Sequence, residues 1–564
     1  MHVRGSFRYV AVAVLVLGPQ DAAAGQTVEP GPQVLTFHSD VDDTEQPYAL
    51  YLPPNFDASK LYPLVVSLHG AGSNHRLNLR RVFGKSNVEG ENDVEASRYF
   101  PEWDDVEYIV ASPYARGTMG YQGVAEHDVL DVLADVKRRF PIDENRVYLT
   151  GLSMGGGGTL WIGLTRPDIW AAIAPVCPAP PRGTDALISN ALNLPMRIFQ
   201  GAADPVVRPE SVRAWVERLE ALGTPLEYTE YPGVDHFSWV PAYEGGQIFD
   251  WFDRFERNPY PDRVRYVSDR YKYGSAYWVR LDALTPGTPA SVDARFTAPN
   301  RVEVTTSALA GFTLDPAGHP RFNARERLAV TIDGTVIEVP AGGAASFSRQ
   351  GRKWVAGRAV ARGKRPGAEG PMSAAIASRH VYVFGTGGDP TREEVEARRA
   401  VALRAAEWSV DRGPFWGRVM VFPRVVADTD VRPSDIETAN LVLFGTKETN
   451  SIIARFGDRL PFHLDSASKD YGLVYVYPAG DRYVLVNSGM PWWEADGGAG
   501  SPFTGEIVAF QLMGLEDYLL FEGSARHVIA QGRFGDEWRL PAAAAEAIRA
   551  AGVVTLTRNA TSSN

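Results

Sequence analysis

Cysteine is almost absent from this sequence of 564 residues, which contains a single one, Cys177. One cysteine cannot form an internal disulfide, so the stability of the fold must come from core burial. Cys177 follows an apolar run, and no neighbouring feature would activate its thiol, so we expect a small buried side chain rather than a nucleophile. The sequence also lacks a His-Glu-x-x-His helix and any His and Cys cluster at metal-ligand spacing. It therefore predicts neither a metal nor a cofactor.

An excess of positive charge is also missing. The formal net charge is -11 at pH 7, and no run of Lys or Arg stands out. Proteins that bind nucleic acid or anionic lipid carry a basic patch or stripe on their surface. The sequence therefore predicts no nucleic-acid partner.

Long apolar runs are missing too, apart from a short one near the amino terminus. Arg4 and Arg8 precede an apolar run at residues 9–17, and the small residues 22–25 follow it. This order is typical of a secretory signal peptide. The run has about half of the roughly 20 residues that span a bilayer, which disfavours an uncleaved anchor. We expect a signal peptide at residues 1–25 and a secreted or periplasmic protein without stable membrane insertion.

The chain is too long for one hydrophobic core, and its pattern changes twice along the mature part. Residues 26–260 alternate short β-rich runs with helical patterns, which predicts a mostly parallel, doubly wound α/β sheet. Residues 261–375 show short alternating runs with turn signals and predict a small, β-rich, sandwich-like domain. Residues 376–564 alternate strands and helices again and predict a second small α/β domain.

Local signals predict several elements within these domains. Asp333-Gly334 is typical of a two-residue hairpin turn, and Thr391 with Glu394 three residues later is typical of a helix start. The glycines just before this helix lack the spacing of a nucleotide site, which favours a plain strand-to-helix turn. The first domain has predicted strands at residues 64–68, 108–111, 146–149, 171–174 and 196–199, and predicted helices at residues 124–140 and 210–222.

The strongest chemical signal is Gly151-Leu152-Ser153-Met154-Gly155, which lies between a predicted strand and a helical stretch. Small residues at these places let a serine occupy a tight strand-to-helix turn with its hydroxyl exposed, as in a nucleophile elbow. The alternative is a glycine-rich turn with an ordinary serine, which the surrounding strand and helix disfavour. We predict Ser153 as the nucleophile. We also expect the glycines at residues 155–158 to let the helix approach the sheet and to leave room for an acyl group.

A nucleophilic serine needs a base, and chains with this elbow carry nucleophile, acid and base in that order. Asp204 follows the strand at residues 196–199, and His236 lies in a loop after another β-rich run. Histidine is scarce, with 10 in the chain, so this placement favours a catalytic base over a surface histidine. Asp235 is the competing acid, but adjacent side chains generally point apart. We therefore predict Asp204 as the acid that orients His236.

The tetrahedral intermediate of acyl transfer needs N–H donors for its oxyanion. They usually come from the residue after the nucleophile and from a loop after an early strand. Met154 provides the first. The second is expected from the glycine-rich turn at residues 68–72, with Ala71 as first choice and Gly72 as the second. His69 is expected to support this loop through hydrogen bonds.

Aromatic side chains near the predicted pocket are candidates for binding a sugar or phenolic ring of the substrate. Rings at such positions are more often pocket wall or core, and this alternative stays open for each of them. The candidates are Tyr114, Tyr121, Trp161 and Trp239.

These segments together resemble the bacterial predicted peptidases and esterases of the α/β-hydrolase superfamily that are prolyl-oligopeptidase-like or dienelactone-hydrolase-like. The matching segments are Leu68-His69-Gly70-Ala71-Gly72 and residues 147–156, 171–177, 201–207 and 228–236, which cover roughly residues 45 to 255. The resemblance implies an α/β-hydrolase sheet and the same Ser-His-Asp triad. The Ser-Met-Gly-Gly-Gly-Gly run is also similar to that of polyester-degrading cutinase relatives, which have a different oxyanion loop. The long C-terminal half departs from prolyl oligopeptidases, which place a β-propeller before the catalytic domain.

The sequence therefore predicts an exported serine hydrolase that cleaves carboxylic esters through an acyl-enzyme. A serine peptidase uses the same groups and stays open as an alternative for an ester or peptide substrate, free or within a polymer. A catalytically silent binding protein on a hydrolase scaffold is a second alternative, which the complete triad disfavours. Because all residues assigned to the chemistry lie between Ala71 and His236, we expect the two C-terminal domains to contribute none of them. Residues 26–260 are then expected to hydrolyse a small ester alone.

Overall fold

The structure is a computed structural model, and it describes residues 28–359, 363–411, 417–493 and 507–560. The predicted signal peptide at residues 1–25 lies outside these ranges. Within them, no helix has the length and apolar character needed to cross a membrane.

An eight-stranded sheet forms the first domain. Its strands are β1 (Gly31–Ser39), β2 (Thr44–Leu52), β3 (Tyr62–Leu68), β4 (Ile109–Pro113), β5 (Ile142–Leu152), β6 (Ala172–Val176), β7 (Met196–Gly201) and β8 (Leu226–Tyr231). Their order is β1-β2-β4-β3-β5-β6-β7-β8, in which β2 is antiparallel to both neighbours and the pairs from β4 to β8 are parallel. The predicted α/β-hydrolase sheet is confirmed.

Helices pack on both faces of this sheet. They are α1 (His75–Val82), α2 (Asp93–Ala96), α3 (Val124–Arg139), α4 (Met154–Thr165), α5 (Pro209–Leu222), α6 (Trp239–Tyr243) and α7 (Gln247–Phe252). Alternate residues of a strand point to opposite faces. Accordingly, Leu64 and Val66 of β3 belong to an apolar cluster with side chains of α3, α4 and α5, whereas Val65 belongs to a cluster with α1, α6 and α7.

The predicted strands and helices of this domain coincide with observed elements to within a few residues. Helix α3 shows why the pattern was readable. Its apolar residues, such as Val129, Val132 and Val136, recur at helical spacing and are buried. Glu126 lies in its first turn and three basic residues lie in its last turn, as the helix dipole favours.

The second domain contains two five-stranded sheets with an apolar cluster of their own. The strands are β9 (Arg263–Ser268), β10 (Ser275–Ala276), β11 (Val279–Leu284), β12 (Ala290–Ala298), β13 (Arg301–Ser307), β14 (Leu309–Leu314), β15 (Leu328–Ile332), β16 (Thr335–Val339), β17 (Ala345–Gln350) and β18 (Lys353–Ala356). One sheet has the order β10-β11-β14-β17-β18 and the other β16-β15-β13-β12-β9. Asp333 and Gly334 join β15 to β16 with φ of 47° and 84°, which confirms the predicted hairpin turn.

A mixed seven-stranded sheet forms the C-terminal domain, with the order β22-β19-β23-β26-β25-β27-β28. The described strands are β19 (His380–Phe384), β20 (Val410–Asp411), β21 (Arg418–Val419), β22 (Arg424–Ala427), β23 (Asn440–Phe444), β24 (Phe462–Leu464), β25 (Tyr471–Ala479), β26 (Arg482–Gly489), β27 (Tyr518–Glu522), β28 (Val528–Gly532) and β29 (Val554–Leu556). The described helices are α8 (Arg392–Ala405), α9 (Pro433–Thr438), α10 (Ser451–Phe456), α11 (Val508–Gln511) and α12 (Ala542–Ala551). Thr391 and Glu394 form the predicted capping box of α8.

The core of the first domain continues into the C-terminal domain. Leu64 and Val129 belong to the same buried apolar cluster as Val442 and Leu485, whereas the second domain keeps a separate cluster. The C-terminal domain therefore covers part of the apolar surface of the first domain. The sequence did not predict this packing. That residues 26–260 act alone stays a prediction.

Candidate active site

The elbow lies where β5 ends at Leu152 and α4 begins at Met154. Ser153 has φ 54° and ψ -115°, a backbone conformation that residues with a side chain rarely adopt. Its N–H donates to the carbonyl of Val176 at 2.9 Å, and its own carbonyl accepts from the N–H of Gly157 at 2.9 Å. These hydrogen bonds hold a strained residue in place, as is common at functional sites.

Each glycine after Ser153 faces a different neighbour at close range. A Cβ on Gly155, Gly156 or Gly157 would collide with a backbone carbonyl, and one on Gly158 would collide with the ring of Tyr121. The glycines therefore allow the close approach of α4 that the sequence predicted. The space beside them is occupied by backbone and by this ring, so the expectation that they leave room for an acyl group was wrong.

His236 lies between Ser153 and Asp204. Its Nε2 is 2.9 Å from Ser153 Oγ, and its Nδ1 is 2.8 Å from Asp204 Oδ2. The Asp204 side chain is fully buried, whereas the His236 side chain keeps 16% of its exposure. The structure thus brings the three residues together, in the contacts that base-assisted attack by a serine requires.

Asp204 is held by the loop that carries it. Its Oδ1 accepts hydrogen bonds from the N–H groups of Val206 and Val207 at 2.8 and 2.9 Å, and Gln200 donates to Oδ2 at 3.2 Å. Asp235 is exposed, and its carboxylate accepts from the N–H of Phe237. Of the two acids that the sequence offered, only Asp204 contacts the imidazole.

The three predicted oxyanion donors differ in their surroundings. The N–H of Met154 opens α4 and therefore has no partner within the helix. The N–H of Gly72 donates to Thr118 Oγ1 at 2.8 Å. Among the described residues, none accepts from the N–H of Ala71. Ala71 therefore keeps a donor available, and Gly72, the second choice, does not.

His69 is buried beneath this loop. Its Nδ1 lies 2.8 Å from the carbonyl of Gly70 and its Nε2 lies 2.9 Å from that of Tyr114. Burial lowers the pKa of His69. Both nitrogens are engaged with the loop backbone, which agrees with the expected supporting role.

Two of the four candidate aromatic residues lie beside the site. Trp239 packs edge-on against the ring of His236 at 5.5 Å between centroids and is 7% exposed. Tyr114 is partly exposed, stacks on His69 at 6.1 Å, and places its hydroxyl 3.6 Å from Met420 Sδ of the C-terminal domain. Trp239 therefore contacts the triad histidine, whereas Tyr114 contacts the histidine of the oxyanion loop.

The other two candidates pack against other protein groups. Tyr121 is 1% exposed, and its hydroxyl donates to the carbonyl of His69 at 2.9 Å, so it supports the oxyanion loop from below. Trp161 packs edge-on against Tyr273 of the second domain at 5.7 Å and donates toward Glu126. Tyr121 is buried and is not available for stacking on a substrate. Trp161 is partly buried against Tyr273 of the second domain, and substrate stacking there stays a prediction.

Cys177 is buried, as predicted, but it also lies next to the triad. Its Sγ and one ligand atom each of Asp204 and His236 lie within 4.8 Å of one another, an arrangement that could hold a metal ion. Burial raises the pKa of the Cys177 thiol to about 12, whereas a metal ligand must be a thiolate. His236 and Asp204 already contact each other. The group therefore fits a serine site better than a metal site.

An exposed apolar rim, which was not predicted from the sequence, lies next to the acid and the histidine. Phe237, Val206 and Val240 are 55%, 59% and 44% exposed. They follow Asp204 and His236 by one to four positions, so apolar residues within these two loops were the available signal. Thr118 was not predicted either, because it belongs to no local sequence motif.

Comparison with known families places this domain. Residues 41–218 match the model of the family described as "Putative esterase". An 84-residue stretch is 40% identical to a poly(3-hydroxybutyrate) depolymerase of Ralstonia pickettii and covers 14% of this chain and 15% of the depolymerase. The chain thus matches under one sixth of that relative's length. The family match agrees with the sheet and the elbow, and it indicates an α/β-hydrolase-type esterase over residues 41–218.

Solved structures of esterases are similar to part of the chain. A thermostable esterase is 27% identical, with 40% of this chain and 63% of that protein covered and a TM-score of 0.33. A ferulic acid esterase of Anaeromyces mucronatus in complex with ferulic acid is 18% identical, with 41% and 94% covered and a TM-score of 0.30.

Proposed function

We propose that the protein hydrolyses carboxylic esters through an acyl-enzyme on Ser153. The observation that carries the proposal is the hydrogen-bonded series from Ser153 through His236 to Asp204, with the serine held in a strained conformation. The esterase family match of residues 41–218 supports ester chemistry at this site.

In the first half of the reaction, Ser153 Oγ attacks the ester carbonyl carbon and passes its proton to His236 Nε2. The carbonyl oxygen becomes an oxyanion and accepts hydrogen bonds from the N–H groups of Met154 and Ala71. Asp204 accepts from Nδ1, which fixes the tautomer of the ring and stabilises its cation. When the intermediate collapses, the bond to the alcohol oxygen breaks and the alcohol leaves with the proton from His236.

In the second half, a water molecule attacks the acyl carbon and gives a proton to His236 Nε2. The bond between the acyl carbon and Ser153 Oγ then breaks, and the proton returns to this oxygen. The products are a carboxylic acid and the free serine. No further group is required by this sequence of steps.

We propose esters of apolar acids as the substrate class. Phe237, Val206 and Val240 expose apolar side chains next to the acid and the histidine, and apolar surface near a site favours an apolar ligand. The depolymerase match supports polyesters of hydroxyalkanoic acids as a member of this class.

A substrate screen tests the proposal. Soluble acetyl and butyryl esters, a feruloyl ester and a 3-hydroxybutyrate oligomer would be compared with peptide anilides, with Ser153→Ala as the blank. We expect ester turnover that Ser153→Ala abolishes, and labelling of the wild type by a fluorophosphonate at Ser153. Turnover of the anilides alone would favour a peptidase, and equal turnover by Ser153→Ala would refute the proposed nucleophile.

The chain offers a matched pair for the acid. Asp204→Asn cannot stabilise the imidazolium, so we expect turnover to fall by roughly 10³- to 10⁴-fold with folding retained. Asp235→Asn changes the neighbouring, exposed carboxylate and should leave turnover within about twofold. A greater loss in Asp235→Asn would exchange the two assignments.

We further propose that the protein is exported, on the strength of Arg4, Arg8 and the short apolar run that follows them. Mass spectrometry of protein recovered from the culture medium or periplasm should find an amino terminus near Gly25. Recovery of the full-length chain from the cytoplasm alone would contradict this.

A further inference from the structure

A short segment of the C-terminal domain pairs with the loop that follows β4. The N–H of Thr118 donates to the carbonyl of Arg418 at 2.8 Å, and the N–H of Met420 donates to the carbonyl of Arg116 at 3.1 Å. Between these bonds, Gly117 and Val419 form an antiparallel bridge. Residues 417–420, which we call the bracing segment, are therefore attached to the first domain by backbone hydrogen bonds.

The bracing segment lies against the oxyanion loop itself. A Cβ on Gly417 would lie 2.9 Å from the Cα of Gly72 and 2.9 Å from Thr118 Oγ1. A Cβ on Gly117 would collide with the carbonyl of Arg418. Both glycines have positive φ, at 66° and 87°. The two backbones thus approach as closely as glycine allows.

Thr118 links the bracing segment to the oxyanion loop. Its side chain is buried, its N–H is bound to Arg418, and its Oγ1 accepts from the N–H of Gly72. Gly72 directly follows Ala71, whose N–H is the proposed oxyanion donor. A shift of the bracing segment therefore reaches this donor through two hydrogen bonds.

A buried charge cluster fixes the bracing segment to the first domain. The Arg116 guanidinium is fully buried and donates to Asp128, Asp42 and Ser39 at 2.6 Å each. Asp42 also accepts from the N–H of Phe422 at 2.8 Å. The segment is thus held on both sides of Met420, and the cluster sets its register on the loop.

We infer that the C-terminal domain is part of the catalytic apparatus. Thr118 and the bracing segment are positioning residues that set the place of the Ala71 N–H in the oxyanion hole. This inference rests on the proposed ester hydrolysis and extends it, because it makes the active site a product of two domains. Removal of an oxyanion donor lowers turnover by about 10²- to 10³-fold, so misplacing one should cost roughly 10- to 100-fold.

The first experiment compares Gly417→Ala with Gly480→Ala. Gly480 has φ 70° in the turn between β25 and β26, with nothing within 4 Å of an added Cβ. Both substitutions therefore impose the same backbone cost in the same domain, and only Gly417→Ala pushes on the oxyanion loop. With p-nitrophenyl acetate, we expect Gly417→Ala to lower kcat at least 10-fold with KM within about twofold, and Gly480→Ala to leave both within about twofold. Equal kcat in the two variants would overturn the inference.

The second experiment tests the hydroxyl of Thr118. Thr118→Val keeps the shape of the side chain and removes the acceptor for Gly72, whereas Thr118→Ser keeps the acceptor and removes a methyl group. We expect kcat to fall at least 10-fold in Thr118→Val and to recover to within about threefold in Thr118→Ser. A loss in Thr118→Ser as large as in Thr118→Val would show that packing is responsible and would overturn the inference.

Ser153→Ala distinguishes a failure of this inference from a failure of the proposed function. If Ser153→Ala is inactive while Gly417→Ala equals Gly480→Ala, the inference fails and the proposed function stands. If Ser153→Ala keeps the wild-type rate, the proposed function fails, and the inference fails with it.

Discussion

The first domain meets the other two domains through contacts of different chemistry and at different distances from Ser153. The contact with the second domain includes a charged cluster around Glu126, which is fully buried. Arg166 contacts it at 2.6 Å, Lys272 at 3.1 Å and the Tyr273 hydroxyl at 2.7 Å. Arg166 follows the last residue of α4, so it lies about 18 Å along the helix from the elbow.

The contact with the C-terminal domain includes the shared apolar core and, at the bracing segment, backbone hydrogen bonds that reach the oxyanion loop through Thr118. Changes at the two contacts should therefore have different effects on stability and on kcat. Changes at the Glu126 cluster should alter stability and leave kcat unchanged. Changes at the Arg116 cluster and the bracing segment should alter kcat as well.

The largest effect is expected from removal of both C-terminal domains. A protein that ends at residue 260 exposes apolar side chains of the shared core and loses every bond to the bracing segment. We expect its soluble, monomeric fraction to hydrolyse p-nitrophenyl acetate more than about 100-fold more slowly than the full chain. Gel filtration followed by rate measurement checks this. A folded monomer with the full-length rate would restore the independent first domain that the sequence suggested.

Arg116→Met should have the next largest effect. It removes the buried cation and leaves Asp42 and Asp128 facing each other without compensation, which typically costs about 3–5 kcal/mol. Because Asp42 also holds Phe422, we expect kcat to fall together with the urea midpoint. Arg138→Met is the control, since its side chain is 73% exposed, and should cost under about 1 kcal/mol. If Arg116→Met is destabilised but has an unchanged kcat, the Arg116 cluster does not influence the oxyanion loop.

Glu126→Gln should lower stability without touching turnover. Burial alone would raise the pKa of Glu126, but Lys272, Arg166 and the Tyr273 hydroxyl lower it from 4.5 to about 2. This difference corresponds to about 3 kcal/mol of stability, which the ionised form supplies. It is fully present above the unfolded pKa and is lost as pH falls toward 2. Glu396→Gln, at an exposed pair with Arg399, is the control.

The measurement is the difference in melting temperature between wild type and Glu126→Gln across pH. It should be constant above about pH 5 and shrink as the solution becomes more acidic. A difference that grows on acidification would contradict the assigned direction. A fall in kcat with p-nitrophenyl acetate at neutral pH would remove the distinction between the two contacts.

Local patterns were enough to predict the sheet and to nominate the residues that meet at the elbow. The strand, serine and helix are contiguous, and Asp204 and His236 each follow a β-rich run, so a parallel sheet brings their loops to one edge. The roles of these residues stay predictions until the variants are measured. Trp161 lies eight positions beyond Ser153 and therefore about 12 Å farther along α4, a distance that its nomination from sequence did not consider.

The bracing segment could not be predicted from local sequence. Thr118 and Arg418 meet through tertiary packing, and neither residue belongs to a motif. Gly117 and Gly417 have the positive φ that favours glycine, but the sequence does not show which other segment of the chain packs against each glycine. The apolar core shared by the first and last domains was not predicted for the same reason, because burial patterns do not reveal which apolar faces pack together.

Tyr273→Phe should give the smallest effect and the finest test of the charged contact. The substitution keeps the ring, which packs edge-on against Trp161 and lies under the Arg166 guanidinium at 5.0 Å. It removes only the hydroxyl that donates to Glu126. A hydrogen bond to a charged group is worth about 1.5–3 kcal/mol, and Arg166 and Lys272 still compensate the carboxylate, so we expect about 1.5 kcal/mol. Tyr471→Phe removes a similar but exposed bond to Glu522 and should cost under about 0.5 kcal/mol. In the Glu126→Gln background, the loss of stability caused by Tyr273→Phe should shrink, because the hydroxyl then meets a neutral acceptor. Thermal unfolding of the wild type, the two single variants and the double variant measures this coupling. Equal losses in both backgrounds would show that the hydroxyl acts independently of the charge.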